Sequence, residues 1–67
     1  MWNLENCRVT GNYMGIALVS GMVTESRVKY GGSVCHTVEL DKPITVFGAI
    51  RERVILDNWE VEKIYEC

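Results

Sequence analysis

In VTESRVKYGGSVCHTVEL, residues 23–40, two runs rich in β-branched residues flank a Gly-Gly pair. Both runs alternate with a period of two, the periodicity of a half-buried strand. Met22, Thr24, Ser26, Val28 and Tyr30 share one face, and Val23, Glu25, Arg27 and Lys29 share the other. After the glycines, Val34, His36, Val38 and Leu40 alternate with Cys35, Thr37 and Glu39. A two-residue Gly-Gly loop would set Lys29 opposite Val34 and Glu25 opposite Val38, mixing the faces. A three-residue loop, Gly31 to Ser33, sets Tyr30 opposite Val34, Val28 opposite His36 and Ser26 opposite Val38. Register follows the apolar face, so the three-residue loop with a glycine at positive φ is expected.

Upstream, Arg8–Asn12 (RVTGN) reads as a short strand ending in a turn. Gly15 to Tyr30 reads as one long strand, with Gly21 as the bulge at which it bends. Downstream, Asp41-Lys42-Pro43 is a turn, with proline preset for it. Ile44–Ile50 (ITVFGAI) is an apolar run of the kind covered on both faces. Arg51-Glu52-Arg53 is a polar turn, Val54-Ile55-Leu56 a short buried strand, and Asp57-Asn58 its end. In the tail, Trp59, Val61 and Tyr65 fit a strand with one slip. Asp57 or Asn58 as N-cap, followed by Glu60, Glu62 and Ile64, fits a helical turn. The reading adopted is a helical turn around Asn58–Glu62 and then a short final strand.

Five or six short strands this close together leave no room for helical crossovers, so an antiparallel sheet is expected. The layout is a long bent strand, a Gly-rich hairpin, a Pro turn and a helical turn before the last strand. It resembles the SH3-like barrels over residues 8 to 65. The fold class expected is thus all-β, a small SH3-like antiparallel β-barrel, in which closure removes exposed edges. That architecture serves many kinds of ligand and implies no activity.

The chain has 67 residues, 48% apolar and 24% charged, with one proline. This is globular composition in a single domain, residues 1–67. The net charge of −2 lacks the basic footprint of a duplex-DNA binder. Asp57, Glu60, Glu62 and Glu66 against Lys63 make the C-terminal edge acidic, suited to self-association or a basic partner, or merely a solvated face. A domain of this size gains barely enough from its core to offset ordering entropy. Cys7, Cys35 and Cys67 are odd in number and lack a C-x-x-C pair, so free thiols are expected rather than a disulfide framework. Cys7, Cys35, His36 and Cys67 have zinc-ligand chemistry without zinc-site spacing, so no metal and no cofactor is expected. Homo-oligomerisation is then the expected source of further burial. The apolar stretch Met14 to Val23 is too short to cross a bilayer, and the N-terminus has no basic leader. A cytoplasmic protein without a membrane partner is expected.

His36, the single histidine, has no nucleophile at motif spacing, and its bland reading is a partly buried ring with a backbone partner. Lys29, Tyr30, Gly31 and Gly32 place a cation and an aromatic beside loop amides, which can cradle a phosphate or stack a base. An ordinary exposed hairpin looks the same. Arg51 and Arg53, with Arg27, suit oxyanions, unless neighbouring acids neutralise them. Trp2, Trp59 and Tyr65 either close the ends of the barrel or form a subunit or partner interface. Nothing assembles a nucleophile, base and oxyanion site, so the expectation is a binding module and no enzyme. Its style is that of the accessory proteins of phages and other mobile elements. The first expected ligand is an anionic small molecule or nucleotide held by Arg27, Lys29, Tyr30, Gly31, Gly32, Arg51 and Arg53. The alternative is a host protein bound through the acidic, aromatic C-terminal region.

Overall fold

A computed structural model describes residues 2–67. The strands are β1 (Arg8–Tyr13), β2 (Ala17–Val28), β3 (Val34–Val46), β4 (Ala49–Asp57) and β5 (Val61–Glu66), with a 3-10 helix at Asn58–Glu60 between the last two. All pair antiparallel in one sheet of order β4-β3-β2-β1-β5. The all-β reading and the helical turn before a final strand are therefore present. The sheet does not close: β4 and β5 are its edges, and no pairing joins them among the described residues.

The interior is mostly valine. Val9, Val19, Val23, Val38, Val54 and Leu56 pack with Leu4 and Cys7, and Leu40, Ile44 and Val61 lie against them. β-branched side chains suit this pleated, half-buried surface. The parity of β2 has to change for this core to form. Val23 pairs with Val38 and Ser26 with His36, so three steps on β2 match two on β3. The extra residue is a bulge at Thr24, not at Gly21 as expected. It puts Val23 rather than Met22 or Thr24 inside. Gly21 serves a different purpose: a Cβ there would collide with the carbonyl oxygen of Glu39. The absent side chain lets β2 and β3 approach closely.

The hairpin register also differs from expectation. Val28 faces Val34 and Ser26 faces His36, which lengthens the loop to Lys29–Ser33. The loop closes on itself through Lys29 N–H to the Ser33 carbonyl (2.6 Å) and Gly32 N–H to the Lys29 carbonyl (2.9 Å). A shift of two residues keeps every side chain on its face, so alternation alone could not exclude it.

Three readings of the second half are corrected. Asp41-Lys42-Pro43 is not a chain reversal: the register jumps from Glu39↔Arg53 to Ile44↔Arg51, so residues 40–43 bulge out of a continuous β3. Pro43, lacking an N–H, is tolerated at such an irregularity. Ile44–Ile50 is not one buried strand, because Phe47 (φ 52°) and Gly48 (φ 75°) form a tight hairpin turn inside it. Two consecutive positive φ values give the turn whose twist matches that of the flanking strands. Arg51-Glu52-Arg53, read as a turn, lies within β4.

The free-thiol reading is also corrected. Arg8 pairs with Glu66, which brings the chain end beside the start of β1, and Cys7 and Cys67 form a disulfide across 60 residues. The third thiol, Cys35, remains free and half-buried. Among the described residues no helix is long and apolar enough to cross a membrane.

Candidate functional site

Two polar groups of the interior organise one end of the molecule. His36 is fully buried on β3. Its Nδ1 lies 2.8 Å from Ser26 Oγ on β2, and its Nε2 lies 2.9 Å from Asn58 Oδ1 in the 3-10 helix. Ser26 Oγ also accepts the Leu4 backbone N–H at 2.9 Å, while Ser26 N–H donates to Glu5. Four segments meet in this network, and satisfied buried networks hold their members in one arrangement. The expected backbone partner of His36 is thus replaced by two side chains. Glu60, also buried, accepts Asp57 N–H (2.8 Å) and Met14 N–H (3.0 Å). One carboxylate therefore fastens the start of the 3-10 helix to the β1–β2 turn, satisfying donors that a helix start leaves orphaned.

The Ser26–His36 contact has the spacing of a nucleophile and base. Both residues are buried, however, and Ser26 Oγ is already shared with Leu4 N–H. Among the described residues, neither lines any of the four main surface concavities. The pair joins β2, β3 and the N-terminal segment within the interior. The zinc set does not assemble, because Cys7 and Cys67 bond to each other and both His36 nitrogens are engaged.

Above the network lies a concavity of about 400 Å³, walled by Lys29, Gly32, Ser33 and Val34 on one side and Asp57, Asn58 and Trp59 on the other. Trp59 is 79% exposed, and Tyr30 projects wholly into solvent from the adjoining loop. Lys29 Nζ reaches Asp57 Oδ1 at 2.7 Å. The hydrogen bond to Asp57, and then its negative charge, raise the Lys29 pKa above the ordinary lysine value. The lysine expected to hold an anion is thus already paired with one. Gly31 and Gly32 do sit at positive φ (96° and 92°), but the Gly32 N–H is spent on the Lys29 carbonyl.

The other expected anion-binding residues lie apart from this concavity. Arg27 pairs with Glu25 at 3.3 Å. Arg51 and Arg53 stand on edge strand β4, where they line a second concavity with Glu39, Ile50 and Glu52. Neither arginine has an ion-pair partner among the described residues. Asp57 and Arg53 lie four residues apart on one strand, about 13 Å along it. Of the seven expected ligand residues, Lys29 and Gly32 therefore line the first concavity beside Trp59, with Tyr30 and Gly31 in the same loop, Arg51 and Arg53 line the second, and Arg27 lines neither. Of the other aromatics, Tyr65 lies under Lys63 Nζ, 5.0 Å from its ring centroid, and Trp2 is half-exposed near the N-terminus.

Sequence reasoning missed Ser26 and Asn58. The signal was in the pairing, since a buried histidine needs partners for both nitrogens. Those partners came from residues 10 and 22 positions away. Comparison with protein-family models, with curated proteins and with solved structures finds no match to this chain.

Proposed function

We propose that the chain is a non-catalytic binding module whose sheet curls into an SH3-like, partly open barrel. The strand order, the 3-10 helix between β4 and β5, and the packing of β1 against β4 support the curled sheet. The radius of gyration of 11.2 Å also matches the roughly 11 Å of a compact chain this long. The module binds a partner protein through the concavity between the Lys29–Val34 loop and Trp59. One observation carries this reading: Trp59, a large aromatic, is left exposed on a short helix whose neighbours Asn58 and Glu60 are fastened from below. Rigid, exposed aromatics of this kind anchor protein interfaces.

A second reading keeps the anionic small molecule or nucleotide, now confined to Arg51 and Arg53, which form no ion pair among the described residues although Glu39 and Glu52 line the same concavity. In both readings the module acts as a homo-oligomer. The motive is the apolar surface left exposed, with Leu18, Phe47, Ile50 and Ile55 open to solvent on a chain with two free sheet edges.

Native mass spectrometry of the protein purified from its source cells separates the readings. A bound polypeptide that is lost in Trp59→Ala and kept in Arg51→Ala/Arg53→Ala supports the first. A retained small anion lost in the arginine variant, with Trp59→Ala unaffected, replaces it with the second. A bare monomer would remove the oligomer from both.

A further inference from the structure

The buried network has a direction, and the direction reaches the surface. The Leu4 backbone N–H can only donate, and it donates to Ser26 Oγ. Among the described residues, His36 Nδ1 at 2.8 Å is the partner left to the Ser26 hydroxyl hydrogen. In the arrangement that uses every group of the network, Nδ1 accepts the Ser26 hydroxyl and Nε2 carries the ring proton. Nε2–H donates to Asn58 Oδ1 at 2.9 Å. The carbonyl oxygen of the Asn58 carboxamide is engaged by His36, and no acceptor among the described residues takes its NH2 group. Asn58 is exposed and lines the concavity next to Trp59.

We propose that the relay Leu4–Ser26–His36–Asn58 presents the Asn58 NH2 group as a fixed donor to a backbone carbonyl of an extended peptide segment of a partner protein, whose apolar side chain packs on Trp59. The inference rests on the protein-binding reading above and specifies what that site recognises. Ser26 and His36 are positioning residues in it. Asn58 and Trp59 touch the ligand.

Three features select a peptide. The Lys29–Asp57 pair leaves the two nearest charges neutralised, which suits an uncharged ligand better than a phosphate. A side-chain amide reads a base edge with its oxygen and its NH2 group turned to the base together, and the Asn58 oxygen is turned to His36 Nε2 instead. A lone carbonyl needs the NH2 group alone. Finally, among the described residues only the adjacent ones come within 4 Å of where a side chain on Gly31 or Gly32 would begin. An extended chain can therefore approach the loop backbone closely.

Nuclear magnetic resonance tests the two halves separately. In the free protein, long-range proton–nitrogen correlations of His36 should show the proton on Nε2, and a proton on Nδ1 would overturn the relay. In Ser26→Ala the preference for Nε2–H should weaken, whereas a purely space-filling role would leave the tautomer unchanged. The second half is a titration of the whole chain with blocked tripeptide amides, each carrying one apolar side chain. The expected result is a joint shift of the Trp59 indole and Asn58 NH2 signals. Asn58→Asp still accepts from Nε2–H but has no NH2, and it should weaken binding about tenfold, equivalent to about 1.4 kcal/mol. The measurement is made at high salt, so that the added charge is screened. Peptides that shift Trp59 and bind Asn58→Asp equally well would sink the donor role while leaving the binding site in place. No shift at Trp59 with any peptide would sink both. Shifts with uridine and none with peptides would replace the peptide with a base.

Discussion

The two ends of the sheet handle polar groups in opposite ways. At the end formed by the β2–β3 loop and the 3-10 helix, His36, Ser26 and Glu60 are buried, and each is hydrogen-bonded to a different segment. At the β3–β4 hairpin, Phe47 and Ile50 are exposed while Arg51, Glu52 and Arg53 face solvent. The first end spends polar side chains on fixing backbone and leaves Trp59 standing clear on a fastened helix, with Tyr30 exposed on the loop beside it. The second holds its shape through strand pairing and a tight turn. A binding surface gains from the first arrangement, because a group already held in place loses less entropy when a ligand arrives. The hairpin end offers area without that preparation.

This contrast can be broken most severely at the disulfide. Replacing Cys7 and Cys67 by serine frees β5 and the segment before β1, whose Asn6 N–H and Cys7 carbonyl bond to Val23. The closed loop spans 60 residues, for which the chain-entropy model gives about 4 kcal/mol. That is a large part of the stability of a small domain. Urea denaturation in the presence and absence of a thiol reductant should show this loss, and coincident curves would show that the bond contributes nothing.

Truncating the core beneath the network is next in size. Leu56 is fully buried and packs close to Gly11. Leu56→Ala should cost about 2–5 kcal/mol, as core cavities do. Ile50→Ser on the exposed hairpin should stay within about 0.5 kcal/mol. Similar losses at both positions, measured as midpoints of chemical denaturation, would erase the distinction between the ends.

The hairpin end can also be improved. Phe47 holds φ 52° with a full side chain, in a turn that favours Asn-Gly. Phe47→Asn should raise stability by about 1 kcal/mol, the scale of the left-handed penalty. A lower melting temperature would mean that the Phe47 ring packs on something the turn needs.

The smallest effect concerns the Lys29–Asp57 pair. Hydrogen bonding and charge raise the Lys29 pKa in the fold. Its contribution is therefore in place below the ordinary lysine pKa and fades as the pH rises through the raised value. Lys29→Met should flatten that alkaline loss slightly, and added salt should do the same to the parent chain. An unchanged alkaline limb would show that the pair is energetically idle.

Local signals carried much of the fold into the sequence. Arg8–Asn12, the Gly-Gly loop, and the helical turn marked by Asp57, Asn58 and Glu60 all lie where their residue types indicate. The failures are equally physical. Phe47 is an unexpected residue for a turn at positive φ, so ITVFGAI read as continuous. The bulges at Thr24 and at residues 40–43 are set by what each strand must face across the sheet, which alternation within one strand does not encode. Cys7 and Cys67 meet only because β5 returns beside β1. Of the candidate site, Lys29, Gly32 and Trp59 were legible as exposed, chemically capable residues. Their convergence and the support from Ser26, His36 and Asn58 were not, because both depend on long-range pairing.

The central claim is that the end bearing Trp59 is held by its buried polar network while the β3–β4 hairpin is held only locally. Native-state amide hydrogen exchange measures this residue by residue. Leu4, Ser26 and His36 amides should exchange only through global unfolding, at the free energy found by denaturation, while Thr45, Ile50 and Arg51 should exchange through smaller local openings. Equal protection at both ends, or faster exchange at Leu4 and Ser26 than at the hairpin, would contradict the account.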